Sequence, residues 1–151
     1  MTSKSITLKI TGMDALRKEL KKLDLTDDLK DVNKEVGEIV VRAAKFKATT
    51  RLQQKAAKSL KSGRQLRKVV VTGGGARFPF FGGAEFGAKR NQSRVGPSGR
   101  SYTGHNQFEG WRGNDRNAGY FLYPAIRANE ARIIEVYGDA IERITGKAFP
   151  N

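Results

Sequence analysis

Cysteine is absent from the 151-residue chain. That excludes a disulfide framework and any thiolate metal site. Histidine occurs once, at His105, so a zinc set built on paired histidines is excluded too. His105 reads as a surface residue of a loop rather than a catalytic base. No apolar run approaches the ~18 residues that a membrane-spanning helix needs. The opening residues, Met1-Thr2-Ser3-Lys4-Ser5-Ile6, lack the apolar core of a signal peptide. The expectation is a soluble chain, made in a cytoplasm, with no membrane partner. No Gly-x-Ser-x-Gly elbow offers a serine nucleophile. Gly73-Gly74-Gly75 follows an apolar run, as a phosphate loop would, but no Gly-Lys-Ser/Thr step comes after it. We therefore expect neither an enzyme nor a nucleotide, cofactor or metal site.

Acidic residues are also scarce, 15 against 29 Lys and Arg, for a net charge of +14. The imbalance is local. Residues 42 to 100 hold fifteen Lys/Arg and a single acid, Glu85, while the rest of the chain balances. A field of that sign attracts a polyanion, either nucleic acid or an acidic protein surface. The plainer reading is a solvated basic face that keeps the protein dissolved. The remaining carboxylates fall on helical stretches. Glu35 with Glu38, and Glu130 with Glu135, read as solvated faces. Asp27, Asp28 and Asp31 read as helix-start acids rather than a cation site. Glu85 reads as a salt-bridge partner for nearby arginines.

Periodicity sets the expected elements. Ser5 to Ile10 alternates with period two and predicts a strand with Ile6, Leu8 and Ile10 inward. Asp14 caps a short helix through Leu23, with Leu16, Leu20 and Leu23 on one face. Leu29, Val32, Val36, Ile39, Val40, Ala43 and Ala44 recur at helical spacing and open a helix over 27–60. Thr49-Thr50 weakens its middle, so it is either one long helix or two with a bend. Gly63 is the natural left-handed residue after it. Val69-Val70-Val71 predicts a strand over 65–72, buried on both faces near its end. A short strand is expected at 83–87, a long irregular loop over 88–118 and a possible strand at 119–123. Pro124 suits the first turn of a closing helix, 124–145, with Ile126, Ile133, Ile134, Tyr137, Ile141 and Ile144 largely on one face. This is one α+β domain over residues 1–151, with a small, mostly antiparallel sheet packed by helices. Phe86 and Phe121 are expected in its core.

The stretch 73–125 carries what the helices and strands do not explain. Lys55, Lys58, Arg64, Arg77, Phe80, Arg90, Arg94, Arg100, Tyr102, Trp111 and Arg112 mix cations with aromatic faces. They are the candidate contacts for a polyanion or a neighbouring subunit.

Three short motifs stand in a definite order: Ser62-Gly63-Arg64-Gln65-Leu66-Arg67, Ala84-Glu85-Phe86-Gly87-Ala88 and Tyr120-Phe121-Leu122-Tyr123-Pro124-Ala125. In that order, over about residues 5 to 145, the chain resembles the neck and tail-completion family of tailed bacteriophages. This is the gene-product-ten-like group related to minor tail protein Z. Ser62 stands for the family's usual threonine, one extra residue precedes Leu66, and Tyr120 stands where a proline usually precedes the phenylalanine. The 88–118 loop is long for the family. The resemblance implies a structural virion protein, assembled as a homo-oligomeric, hexameric ring at the head–tail joint. It also implies neighbouring neck, head-completion and tail-terminator or tail-tube proteins as partners. The basic segment would then face either an acidic partner ring or the channel, where it would contact DNA non-specifically. Gly63, Leu66, Glu85, Phe86, Gly87, Phe121 and Pro124 would then be structural frame. The alternative reading is a basic nucleic-acid-binding module that contacts phosphates without sequence preference.

Overall fold

A computed structural model describes residues 4–8, 14–89, 92–104, 107–114 and 116–150. The chain runs β1 (Lys4–Leu8), α1 (Asp14–Lys22), α2 (Thr26–Lys47), α3 (Arg51–Ala57), β2 (Lys61–Gly63), β3 (Val69–Gly73), α4 (Phe81–Phe86), β4 (Gln92–Val95), β5 (Ser101–Gly104), α5 (Leu122–Ala128) and α6 (Glu130–Ala148). It is α+β with a small antiparallel sheet, as the sequence implied. In that sheet β3 is central, with β1 and β2 on its two edges. Its three valines are all buried.

The helix α2 organises the rest. It packs against β2, β3, α3, α5 and α6. Leu29, Val32, Val36, Ile39, Val40 and Ala44 form its buried stripe. A buried Asn33 donates from Nδ2 to the carbonyls of Gln65 and Leu66, at 2.7 and 3.1 Å. This pins the β2–β3 connection, so β3 starts at Val69 rather than at 65. Leu66 is half-buried against the core. Gly37 lies where β2 crosses α2, and a Cβ there would collide with Ser62 Oγ, itself bonded to the Lys34 carbonyl. A Gly37→Leu variant is therefore expected to lose about 1–3 kcal/mol by overpacking, read as a lower denaturation midpoint.

Several boundaries differ from expectation for identifiable reasons. Of the two forms expected for 27–60 the chain takes the broken one, and the second helix ends at Ala57 rather than 60. Ala48 leaves the helix, and Thr50 caps α3 in a reciprocal capping box with Gln53, whose Oε1 also accepts the Thr49 N–H at 3.0 Å. Gly63 is a strand residue paired with Val70, not a left-handed cap. The predicted strand 83–87 is the helix α4. Its inward face is Phe81, Ala84 and Glu85, and Gly83 is needed because the Phe108 ring occupies the space of a Cβ, 2.5 Å away. Residues 119–123 form no strand: Gly119 has φ +83° and α5 begins at Leu122. The closing helix is broken at Asn129, whose Nδ2 bonds the Ala125 carbonyl at 2.8 Å. Ile133, Tyr137, Ala140 and Ile144 are the buried face of α6, while Ile134 points out. Leu23 is likewise exposed, just past the end of α1. The side chains of Ile6, Leu8 and Leu16, and all of Ile10, lie outside the described residues.

Candidate interaction surface

The surface is built on one buried joint. Glu85 has no solvent exposure. One carboxylate oxygen accepts the N–H groups of Phe121 and Leu122, at 3.2 and 2.9 Å, and the other accepts that of Tyr123 at 2.9 Å. The next residue, Pro124, has no N–H to satisfy, and Ala125 donates to the Phe121 carbonyl at 3.1 Å. The orphan donors at the start of α5 are thus accounted for by a carboxylate from elsewhere in the chain. Among the described residues, the partners of Glu85 are backbone N–H groups and not the arginines expected from sequence. Burial pushes its carboxyl above the ordinary range, while these N–H bonds, which favour the anion, pull part of the way back. Gly119 permits the approach, because a Cβ there would collide with Glu85 Oε1.

The same joint carries the loop that follows α4. Gly87 has φ +72° and ψ −166°, and a Cβ on it would strike the Gly110 carbonyl. Ala88 donates to the Glu109 carbonyl at 2.9 Å, and Arg112 donates to that of Phe86 at 2.6 Å. The Tyr120 hydroxyl reaches the Gly110 carbonyl at 2.7 Å, with the Arg112 guanidinium 4.6 Å above its ring. Phe86 is half-buried rather than core, with its ring 5.3 Å from that of Tyr123.

Beyond this anchorage the expected irregular loop 88–118 contains a hairpin. The strands β4 and β5 pair from Gln92↔Gly104 to Val95↔Ser101, closed by the Gly96–Arg100 turn. Among the described residues, the hairpin makes no extensive contact with any other element. Val95 is 73% exposed and Arg100 is open to solvent. Arg94 faces Tyr102 in the register. Their side chains, and Arg90 and His105 entirely, lie outside the described residues. Trp111 is half-exposed, over Gly113.

The basic residues divide into two groups. Arg64 is engaged: its guanidinium bonds Asp31 at 2.5 Å and lies 3.5 Å from Asp27, which also holds Lys30. These contacts lower both carboxyl pKa values, mainly through the Lys30 bond at Asp27 and the Arg64 bond at Asp31. Asp28 pairs with Lys147 of α6. The acids at the start of α2 thus make solvent-exposed ion pairs to the residue after β2 and to α6. Lys58 and Arg77 are not so used. With Lys61 they line an open groove of about 390 Å³, between the end of α3, the start of β2 and the Gly73–Phe78 turn. Lys55 lies exposed on α3, outside the groove lining. Phe80 is half-buried against the core, edge-on to Phe78 at 6.2 Å.

Comparison of the chain with family models, with characterised proteins and with solved structures gave no match. The site therefore rests on its own geometry. Among the described residues, no group of His, Asp and Glu is placed to hold a metal ion. No described helix is long and apolar enough to cross a membrane. Sequence reasoning overlooked Phe46, which is 92% exposed near the end of α2 between Lys45 and Lys47. The signal was present: Phe46 falls off the stripe that ends at Ala43 and Ala44. It also overlooked the Glu85–α5 contact, for which no local pattern exists.

Proposed function

We propose that the chain is a structural virion protein of a tailed bacteriophage. It forms a closed hexameric ring at the head–tail joint, as a neck or tail-completion component. It is made in the host cytoplasm and meets neighbouring neck, head-completion and tail-terminator or tail-tube proteins. The reading assigns no catalytic role to any side chain.

The observation that carries it is the hairpin β4–β5. A two-stranded hairpin gains little stability alone. This one has an exposed valine and backbone edges that no other strand among the described residues pairs. Such edges are templates for pairing with another chain. In a closed cyclic assembly each hairpin would meet the next copy, so a weak contact repeats around the ring. Further support comes from the motif boxes at 84–88 and 120–125. They are not independent matches but two sides of the Glu85 joint, a frame from which the hairpin is extended.

The test is the mass of the purified protein by sedimentation or native mass spectrometry. The full chain is expected to sediment as a ring. Replacing residues 92–104 by a short Gly-Ser link should leave helical circular dichroism and cooperative unfolding intact, while the assembly falls to monomers. A full chain that stays monomeric at tens of micromolar, or a linked variant that still forms rings, would overturn the reading.

A further inference from the structure

We propose that the groove between α3 and the Gly73–Phe78 turn binds the phosphodiester backbone of nucleic acid through Lys58, Lys61 and Arg77. The inference names a site and a ligand, and it stands whether or not the chain forms a ring.

Four observations converge on it. The groove is lined by Lys58, Ser59, Lys61, Thr72, Gly73, Gly74, Ala76, Arg77 and Phe78, with no carboxylate among them. Its three cations form no ion pair among the described residues, unlike Arg64 and Lys30. Of the lining residues, Ala76 and Arg77 have N–H groups with no backbone acceptor among the described residues, whereas the Gly74 N–H is satisfied by Ser59 Oγ at 2.8 Å. Gly74 and Gly75 have φ of +87° and +105°, so the backbone is bare of side chains where it turns beside the groove. The site offers donors and positive charge, which suits a ligand made only of acceptors.

An acidic protein surface is the competing occupant, and the lining disfavours it. Protein interfaces place aromatic and apolar residues at their centre and exclude lysine from it. Here two of the three cations are lysines, and Phe78 is the one aromatic side chain. A concave groove also fits a projecting phosphate ridge better than a flat face. Contacts from these cations to phosphate oxygens carry no sequence information, so backbone binding here is expected to be indifferent to sequence.

The test uses the full chain and fluorescein-labelled 30-base-pair duplexes of two unrelated sequences, titrated from low to physiological salt. The comparison set is the triple variant Lys58→Gln, Lys61→Gln, Arg77→Gln and a charge-matched control, Arg127→Gln, Arg132→Gln, Arg143→Gln, on the exposed faces of α5 and α6. Circular dichroism and sedimentation are recorded on every protein. The wild type should bind both duplexes alike. The groove variant should lose about 0.9 from the slope of log affinity against log salt per contact removed, about 2.7 in all, with the control changed much less. Equal loss in groove and control variants would overturn the site. So would absence of binding at low salt, or equally groove-dependent binding of polyglutamate. Lost DNA binding with assembly unchanged separates this inference from the ring reading. A monomeric wild type that still binds through the groove sinks the ring and leaves the site standing.

Discussion

Glu85→Ala should be the most damaging single substitution in the chain. It leaves the N–H groups of Phe121, Leu122 and Tyr123 in a buried site with no acceptor. Each orphaned donor costs about 1–3 kcal/mol, and the charge-assisted bonds lost are stronger than neutral ones. The total, about 4 kcal/mol or more, is a large share of the ~5–15 kcal/mol that stabilises an ordinary domain. Urea unfolding followed by circular dichroism should show it as a collapse of the midpoint. A Glu85→Gln variant keeps one acceptor oxygen and should fall between the two. The pH dependence supplies a second readout. With its folded pKa raised, Glu85 binds its proton more tightly in the native state than in the unfolded chain. Its contribution is therefore greatest below the ordinary glutamate range, falls as pH rises toward the folded pKa, and is level beyond it. The stability gap between wild type and Glu85→Gln should accordingly narrow as pH climbs through that window. A gap that widens would show that the N–H bonds outweigh burial, and a flat one that the two cancel.

Phe121→Ala should cost about 3–5 kcal/mol, the range for emptying a fully buried aromatic site. Phe121 has no exposure, and its ring meets that of Phe81 edge-on at 5.7 Å. Phe81 in turn fills the space above Gly73 and Gly74. The cavity would thus open between α4, α5 and the end of β3. Phe86→Ala should cost clearly less, since Phe86 keeps part of its surface in water. Similar losses at the two positions, measured by the same unfolding experiment, would contradict the separation of core from rim drawn here. Phe121→Ala keeps the backbone N–H that Glu85 accepts, so the Phe121→Ala and Glu85→Ala effects couple only through the packing of the joint they share; a double-mutant cycle measures that coupling.

The sequence foretold elements that rest on local pattern and missed those that rest on distant partners. The α2 stripe follows from periodicity, and the buried valines of β3 from a run of β-branched residues. The break at Ala48–Thr50 was half-legible: Thr50 followed by Gln53 is a capping box, but the lysines around it read as a continuous ladder. The helix α4 was illegible because Gly82 and Gly83 are poor helix formers. Only the ring of Phe108, from a distant part of the chain, explains why Gly83 is small. Glu85 is the lone acid in a basic stretch, and charge alone would pair it with arginines. Its actual partners are main-chain donors, which carry no sequence signature. In the basic segment, composition revealed the excess charge but not its division. Asp27 and Asp31 tie down Arg64, while Lys58, Lys61 and Arg77 are left to face solvent together.

The meeting of residues 86–88 with 109–112 has a consequence for how this chain can vary. Strand-like bonds join the two sides there, so the polypeptide departs and comes back at almost the same point. Phe108 belongs to the frame through its ring against Gly83; the stretch 89–107 is a detour whose two ends are already stitched together. Lengthening, shortening or exchanging that detour changes the entropy of closing it only slowly with length. The frame beneath would barely register the change. Related chains could thus keep the Glu85 joint and carry quite different excursions, each fitted to its own neighbour. A foreign peptide spliced in at the tip should be tolerated for the same reason.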